Sequence, residues 1–131
     1  MRRRHLTLLV APLLLAGCLS ASRSGSAEGE RDSERISPEQ LEAQPAGNLY
    51  EAVQRLRPIW LRGRGPFSTT RPQSFAEVFV DDRYYGPLET LREFDVATVS
   101  EVLFLSGRDA TTRFGTGYPG GVIQIILKKR P

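Results

Sequence analysis

The stretch Gly121-Val122-Ile123-Gln124-Ile125-Ile126-Leu127 decides how this chain folds. Its β-branched residues suit a pleated backbone, whose side chains alternate between two faces. Ile123, Ile125 and Leu127 therefore share one face, and only Gln124 interrupts the other. A run that is apolar on both faces is predicted to be a central strand, covered on each side. Upstream, Arg108 to Phe114 is too polar for a core strand and reads as a short helix stopped by Gly115. Glu101-Val102-Leu103-Phe104-Leu105 and Glu77-Val78-Phe79-Val80-Asp81 read as further strands, the second running into the acidic turn Asp81-Asp82-Arg83. Gly86-Pro87 opens a short helical segment from Leu88 to Phe94. Ile59-Trp60-Leu61 reads as a short apolar strand. Before it, Asn48 caps a helix to Arg57 that places Leu49, Ala52, Val53 and Leu56 on one face, and Pro58 stops it. Strands alternating with short helices predict a small mixed β-sheet of the α/β (α+β) class.

The ends of the chain read differently. Arg2, Arg3 and Arg4 precede the apolar run Leu6 to Leu15, the order of a secretory signal. That run of about ten residues is too short for a spanning helix, which takes about 20. Leu15-Ala16-Gly17-Cys18 resembles the lipobox of bacterial lipoproteins. The resemblance implies cleavage after residue 17, a diacylglyceryl thioether on Cys18 and anchoring to the membrane through lipid. Leu19 is not the Asp that retains enteric lipoproteins in the inner membrane, so the expected place is the outer membrane, with the domain facing the periplasm. From residue 18 to 47 the composition turns to Ser, Gly, Glu and Arg without periodicity, which predicts a disordered tether. Roughly 28 residues of such coil reach on the order of 30 Å. Ser37 and Pro38 could start a short helix there, with Leu41 as its one sizeable apolar residue. The folded domain is expected over 48–129.

Charge and residue types exclude several chemistries. The formal charge of +3 comes from 18 basic and 15 acidic residues, and without Arg2, Arg3 and Arg4 it falls to zero. A nucleic-acid partner is not expected of so balanced a chain. The one Cys leaves no intramolecular disulfide, and the one His, His5, lies in the signal, so no catalytic residues, metal site or cofactor are expected. Gly115-Thr116-Gly117-Tyr118-Pro119-Gly120 spells G-x-G-x-x-G, but it follows a helical piece and opens a strand, the reverse of the dinucleotide fingerprint. Gly115, Gly117, Gly120 and Gly121 are instead expected to make tight turns, with Tyr118 over the sheet end.

Several segments in order resemble the plug domain of TonB-dependent outer-membrane receptors. They are Val78-Phe79-Val80-Asp81-Asp82, Val99-Ser100-Glu101-Val102-Leu103-Phe104-Leu105, Ala110-Thr111-Thr112-Arg113-Phe114-Gly115-Thr116-Gly117 and Gly120-Gly121-Val122-Ile123-Gln124-Ile125-Ile126-Leu127-Lys128. The family reads there as a hydrophobic-V-D-G turn, I-x-x-I-E-V-L, A-S-A-x-Y-G and G-G-V-I-x-I-x-T-K, and from Val99 to Lys128 the order and spacing match without a gap. The helix from Asn48 with Ile59 to Leu61 is similar to the plug's opening L-x-E-A-L-x-x-x-P-G-V. Asp82 stands for the family's turn Gly, Leu103 for its Glu and Leu127 for its Thr. A receptor continues from the last strand into a barrel, whereas this sequence ends at Pro131, so the resemblance implies a plug-like fold without energised uptake.

Two functions follow as expectations. One is a lipid-anchored, non-catalytic interaction module that docks to an outer-membrane barrel or another envelope protein, accessory to uptake. The other is a ligand-binding accessory lipoprotein for a siderophore, glycan or peptide. Trp60, Tyr84 and Tyr85 are the candidate contacts, together with the basic loop of Arg62, Arg64 and Arg71, which suits an acidic partner, lipid headgroups or plain solvent. A pocket joining Trp60, Tyr84 and Tyr85 favours the ligand reading; an exposed apolar patch or an unpaired sheet edge favours the module.

Overall fold

The computed structural model describes residues 33–65 and 72–129; the signal, Cys18 and Arg71 lie outside the described residues. Strands β1 (Arg35–Ile36), β2 (Glu77–Val80), β3 (Arg83–Pro87), β4 (Val99–Leu105) and β5 (Val122–Leu127) form one sheet in the order β1-β4-β5-β2-β3. β5 pairs antiparallel with β4 and parallel with β2, so the run that opened the sequence reading is central. Helices α1 (Pro38–Glu42), α2 (Leu49–Leu56) and α3 (Gly107–Phe114) join 3₁₀ turns at Pro58–Leu61, Leu88–Glu93 and Val96–Thr98. The mixed sheet with short helices is a small α+β fold, as expected.

The cap of α2 and the stop of α3 are those the sequence advertises. Asn48 accepts from the Glu51 amide at 3.0 Å, and the Glu51 carboxylate receives the Asn48 side-chain amide at 3.1 Å. Ser106 caps α3 through the Asp109 amide at 3.3 Å, and Gly115, at φ 91°, ends it. Each cap satisfies an N–H that the first turn leaves without a helical partner.

Strand alternation divides the sheet into two cores. Ile123, Ile125, Val78 and Val102 face the main core, closed by α1, α2 and the 3₁₀ turns. Phe79, Ala110 and Val122 make a smaller core under α3, with Leu105, Phe114 and Tyr118 half-buried around it.

Three expectations change. The domain begins upstream of residue 48. Ser37 and Gln40 exchange cap hydrogen bonds at the start of α1, and Ile36 and Leu41 are 0% and 1% exposed. Residues 33–36 are tied down by long-range bonds: the Trp60 indole donates to the Ser33 carbonyl at 3.2 Å, the Phe104 amide to the Glu34 carbonyl at 2.8 Å, and Arg57 to the Arg35 carbonyl at 3.1 Å. Ile59 to Leu61 is a 3₁₀ turn rather than a strand, because Pro58 presets a helical φ at its first position. Tyr84 to Gly86, read from sequence only as contacts and the start of a helical segment, is the middle of strand β3.

Leu41→Ala should lower unfolding free energy by about 2–5 kcal/mol, the usual range for emptying a buried leucine site. Urea denaturation measures it; a residue in a solvated tether would produce almost no change.

Candidate interaction surface

The surface is built on the β2–β3 hairpin. Val80 pairs with Arg83, leaving Asp81 and Asp82 as a two-residue loop at φ 44° and 69°. Positive φ at both positions is the type I′ geometry that matches strand twist. Glycine would adopt it freely; Asp tolerates it better than most residues because a short polar side chain can bond locally. Asp82 is held from outside the turn. Its Oδ1 receives Arg113 at 2.6 Å and the Gln124 amide nitrogen at 2.8 Å. Gln124 is 3% exposed, so this bond satisfies a donor buried inside the sheet.

Beyond the turn the register slips. Phe79 pairs with Tyr84 and Val78 with Gly86, so Tyr85 is the extra residue of a bulge. The two adjacent tyrosines pack against opposite faces of the sheet. Tyr84 meets Phe79 edge-on at 5.7 Å on the α3 side. Tyr85 meets Phe94 at 4.9 Å on the main-core side and donates to Glu93 at 2.8 Å. Gly86 must be glycine, since a Cβ there would lie 2.7 Å from the Thr90 methyl. Tyr84 and Tyr85 stay 56% and 47% exposed, and no described strand pairs beyond β3. This open edge is blunted by Arg83, the bulge and Pro87, devices that discourage sheet-to-sheet addition. The edge therefore offers its side chains rather than its backbone.

On the α3 side an aromatic group surrounds Phe79. Phe114 stacks on it at 4.3 Å, and Tyr118 stands against it at 5.4 Å with the rings 82° apart. The Glu77 carboxylate accepts from the Tyr84 hydroxyl and holds that phenol above its ordinary value, with Tyr118 adding to the rise. The Glu93 carboxylate does the same to Tyr85.

The other expected site residues lie apart. Trp60 is not a surface contact: it is 2% exposed and stacks on Phe104 at 5.5 Å, because its indole is the largest apolar body available to close the main core beside β1. It shares no pocket with Tyr84 and Tyr85. Arg64 bridges to Ser74 through the backbone and lays its guanidinium 4.3 Å over Phe104, so its charge is engaged inside the loop. Arg62 is exposed beside it, and Arg71 lies outside the described residues. Gly115, Gly117 and Gly121 take φ of 91°, 123° and 91°, as turn glycines should, while Gly120 touches the Phe75 carbonyl where a Cβ would come within 2.1 Å. Three hollows are lined by residues other than the expected contacts: a groove of about 370 Å³ over Leu103 and Leu105, a cleft of about 290 Å³ between α1 and Val96–Thr98, and one of about 240 Å³ beside Asn48, Arg92 and Phe94. No three His, Cys, Asp or Glu side chains gather to hold a metal ion among the described residues.

Against protein-family models, curated proteins and solved structures, the chain finds no match.

Glu77, Asp82, Arg113 and Gln124 were not singled out from the sequence as site residues. The available signals were Asp82 in a glycine position and Gln124 as the one polar residue of β5.

Asp82→Ala should destabilise by about 1–3 kcal/mol by orphaning the buried Gln124 donor, and Asp82→Asn by less, because it keeps a carbonyl acceptor and tolerates positive φ; urea unfolding of the pair checks the order. The raised folded-state phenols give a second expectation. They contribute stability that is complete below the ordinary value of 10.0 and lost as pH rises through the folded one. Alkaline unfolding curves should therefore decline above pH about 10, less steeply in Tyr84→Phe and Tyr85→Phe.

Proposed function

We propose that this chain is a lipid-anchored, non-catalytic interaction module of the bacterial periplasm, plug-like in fold, held at the outer membrane through Cys18 and docking to a barrel or another envelope protein. The observation that carries it is the β2–β3 hairpin, which projects two half-exposed tyrosines from opposite faces of an unpaired but blunted sheet edge. Trp60, which the ligand-binding alternative needed in a pocket, is spent in the core. Ligand pockets concentrate apolar walls and convergent polar groups in a concavity, whereas the tyrosines stand half-exposed on opposite faces of an edge strand. The plug resemblance of Val99 to Lys128 gives the module its natural setting beside receptor barrels. Two or three acyl chains on Cys18, at about 0.8 kcal/mol per buried CH₂, make attachment stable.

A photo-crosslinking residue at position 84 tests the reading, with position 59 as control, since Ile59 is also exposed, at 58%. Discrete adducts with envelope proteins are expected from position 84 in anchored protein and not from position 59. They should weaken in Cys18→Ala, whose mature mass should also lack the lipid. Adducts of equal yield from both positions, or none, contradict the proposal.

A further inference from the structure

We propose that Glu77, Tyr84 and Tyr118 form a clamp that takes a cationic side chain, Arg or Lys, of the protein partner. The inference rests on the interaction-module reading and supplies the chemistry of its partner.

Three observations converge on Glu77. By strand alternation its side chain lies on the same face of the sheet as Phe79, under the aromatic group. Its backbone is tied to the turn that carries Tyr118: the Glu77 amide donates to the Gly121 carbonyl at 3.1 Å, and the Gly121 amide to the Tyr118 carbonyl at 3.0 Å. Tyr84, in register with Phe79 on the next strand, reaches back to the Glu77 carboxylate. Glu77 thus shares a face of the sheet with two phenol rings, each nearly perpendicular to the Phe79 ring, at 78° and 82°.

Of the arginines on this side of the sheet, Arg113 and Arg35 are paired with Asp82 and Glu101, and Arg108 of α3 is exposed. Glu77 makes no ion pair among the described residues. A guanidinium or ammonium there meets a carboxylate with aromatic rings beside it, surroundings that attract a cation more than a neutral group of the same shape. Tyr84 is more than half exposed and Phe79 is 4% exposed, so the floor is filled and the walls are low. Such a clamp is too shallow to enclose a free cation, and it suits a side chain whose own protein covers the surrounding surface.

The test titrates lipidated protein in detergent micelles with acetyl-Gly-Arg-Gly-amide, its citrulline counterpart and tetramethylammonium, following the ring resonances of Tyr84 and Tyr118 by NMR. The arginine peptide should give saturable shifts and the citrulline peptide none. Glu77→Gln and Tyr84→Leu should each weaken binding by roughly fivefold, the scale of one exposed cation–π contact, in protein whose circular dichroism is unchanged. Equal shifts with citrulline, no saturation, or tetramethylammonium binding as tightly as the arginine peptide would overturn the clamp. Adducts at position 84 without peptide binding would sink the clamp alone and leave the interaction module standing. Peptide binding without adducts would do the reverse.

Discussion

A buried amide in the middle of the sheet ties the surface of this domain to its interior. β5 is bonded on both edges and covered on both faces, so Gln124 has no route to water. Its amide nitrogen reaches Asp82 in the β2–β3 turn, and Arg113 of α3 reaches the same oxygen. That one carboxylate sets the turn, secures α3 over the small core and fixes where β3 leaves the hairpin. The exposed tyrosines are therefore positioned by a residue at the centre of the fold rather than by a free loop. A glycine in place of Asp82 would relax the backbone yet lose the acceptor. The position favours a residue that combines tolerance of positive φ with a carbonyl-type oxygen.

The other edge is held in a contrasting way. β1 is only two residues long, but the Trp60 indole, the Phe104 amide and the Arg57 guanidinium bind the carbonyls of three successive residues, Ser33 to Arg35. Ile36 and Leu41 then enter the main core. Because β1 and β3 end opposite edges of the sheet, the chain arrives at one side of the domain and the tyrosines stand at the other. This strand order puts the arriving chain and the tyrosine-bearing edge about 19 Å apart, four inter-strand spacings of about 4.8 Å.

Elements with strong local signals were legible in the sequence. β2, β4 and β5 follow apolar runs, α2 follows its Asn48 cap and the stop at Pro58, and α3 follows the stop at Gly115. What escaped depends on distant partners. β1 carries no periodicity, and α1, whose start at Ser37-Pro38 was legible, joins the core only once β4 and Trp60 are in place. β3 is a polar and aromatic run whose identity as a strand follows from both aspartates taking positive φ, a choice sustained by Arg113 and Gln124 from far along the chain. Trp60 next to a basic loop resembles a surface contact in sequence; the space beside β1 draws it inward. Of the candidate site, the two tyrosines were legible, and the carboxylates that orient their hydroxyls were not, since Glu77 and Glu93 become neighbours only through the hairpin and the following 3₁₀ turn.

The central claim is that the hairpin and the aromatic group beside it, not the basic loop or the grooves, meet the partner. Hydrogen–deuterium exchange on the anchored protein, with and without outer-membrane vesicles from the same cells, addresses it most directly. The account predicts added protection confined to residues 77–87 and 114–118. Protection centred on Arg62 to Arg64, over Leu103 and Leu105, or nowhere would contradict it.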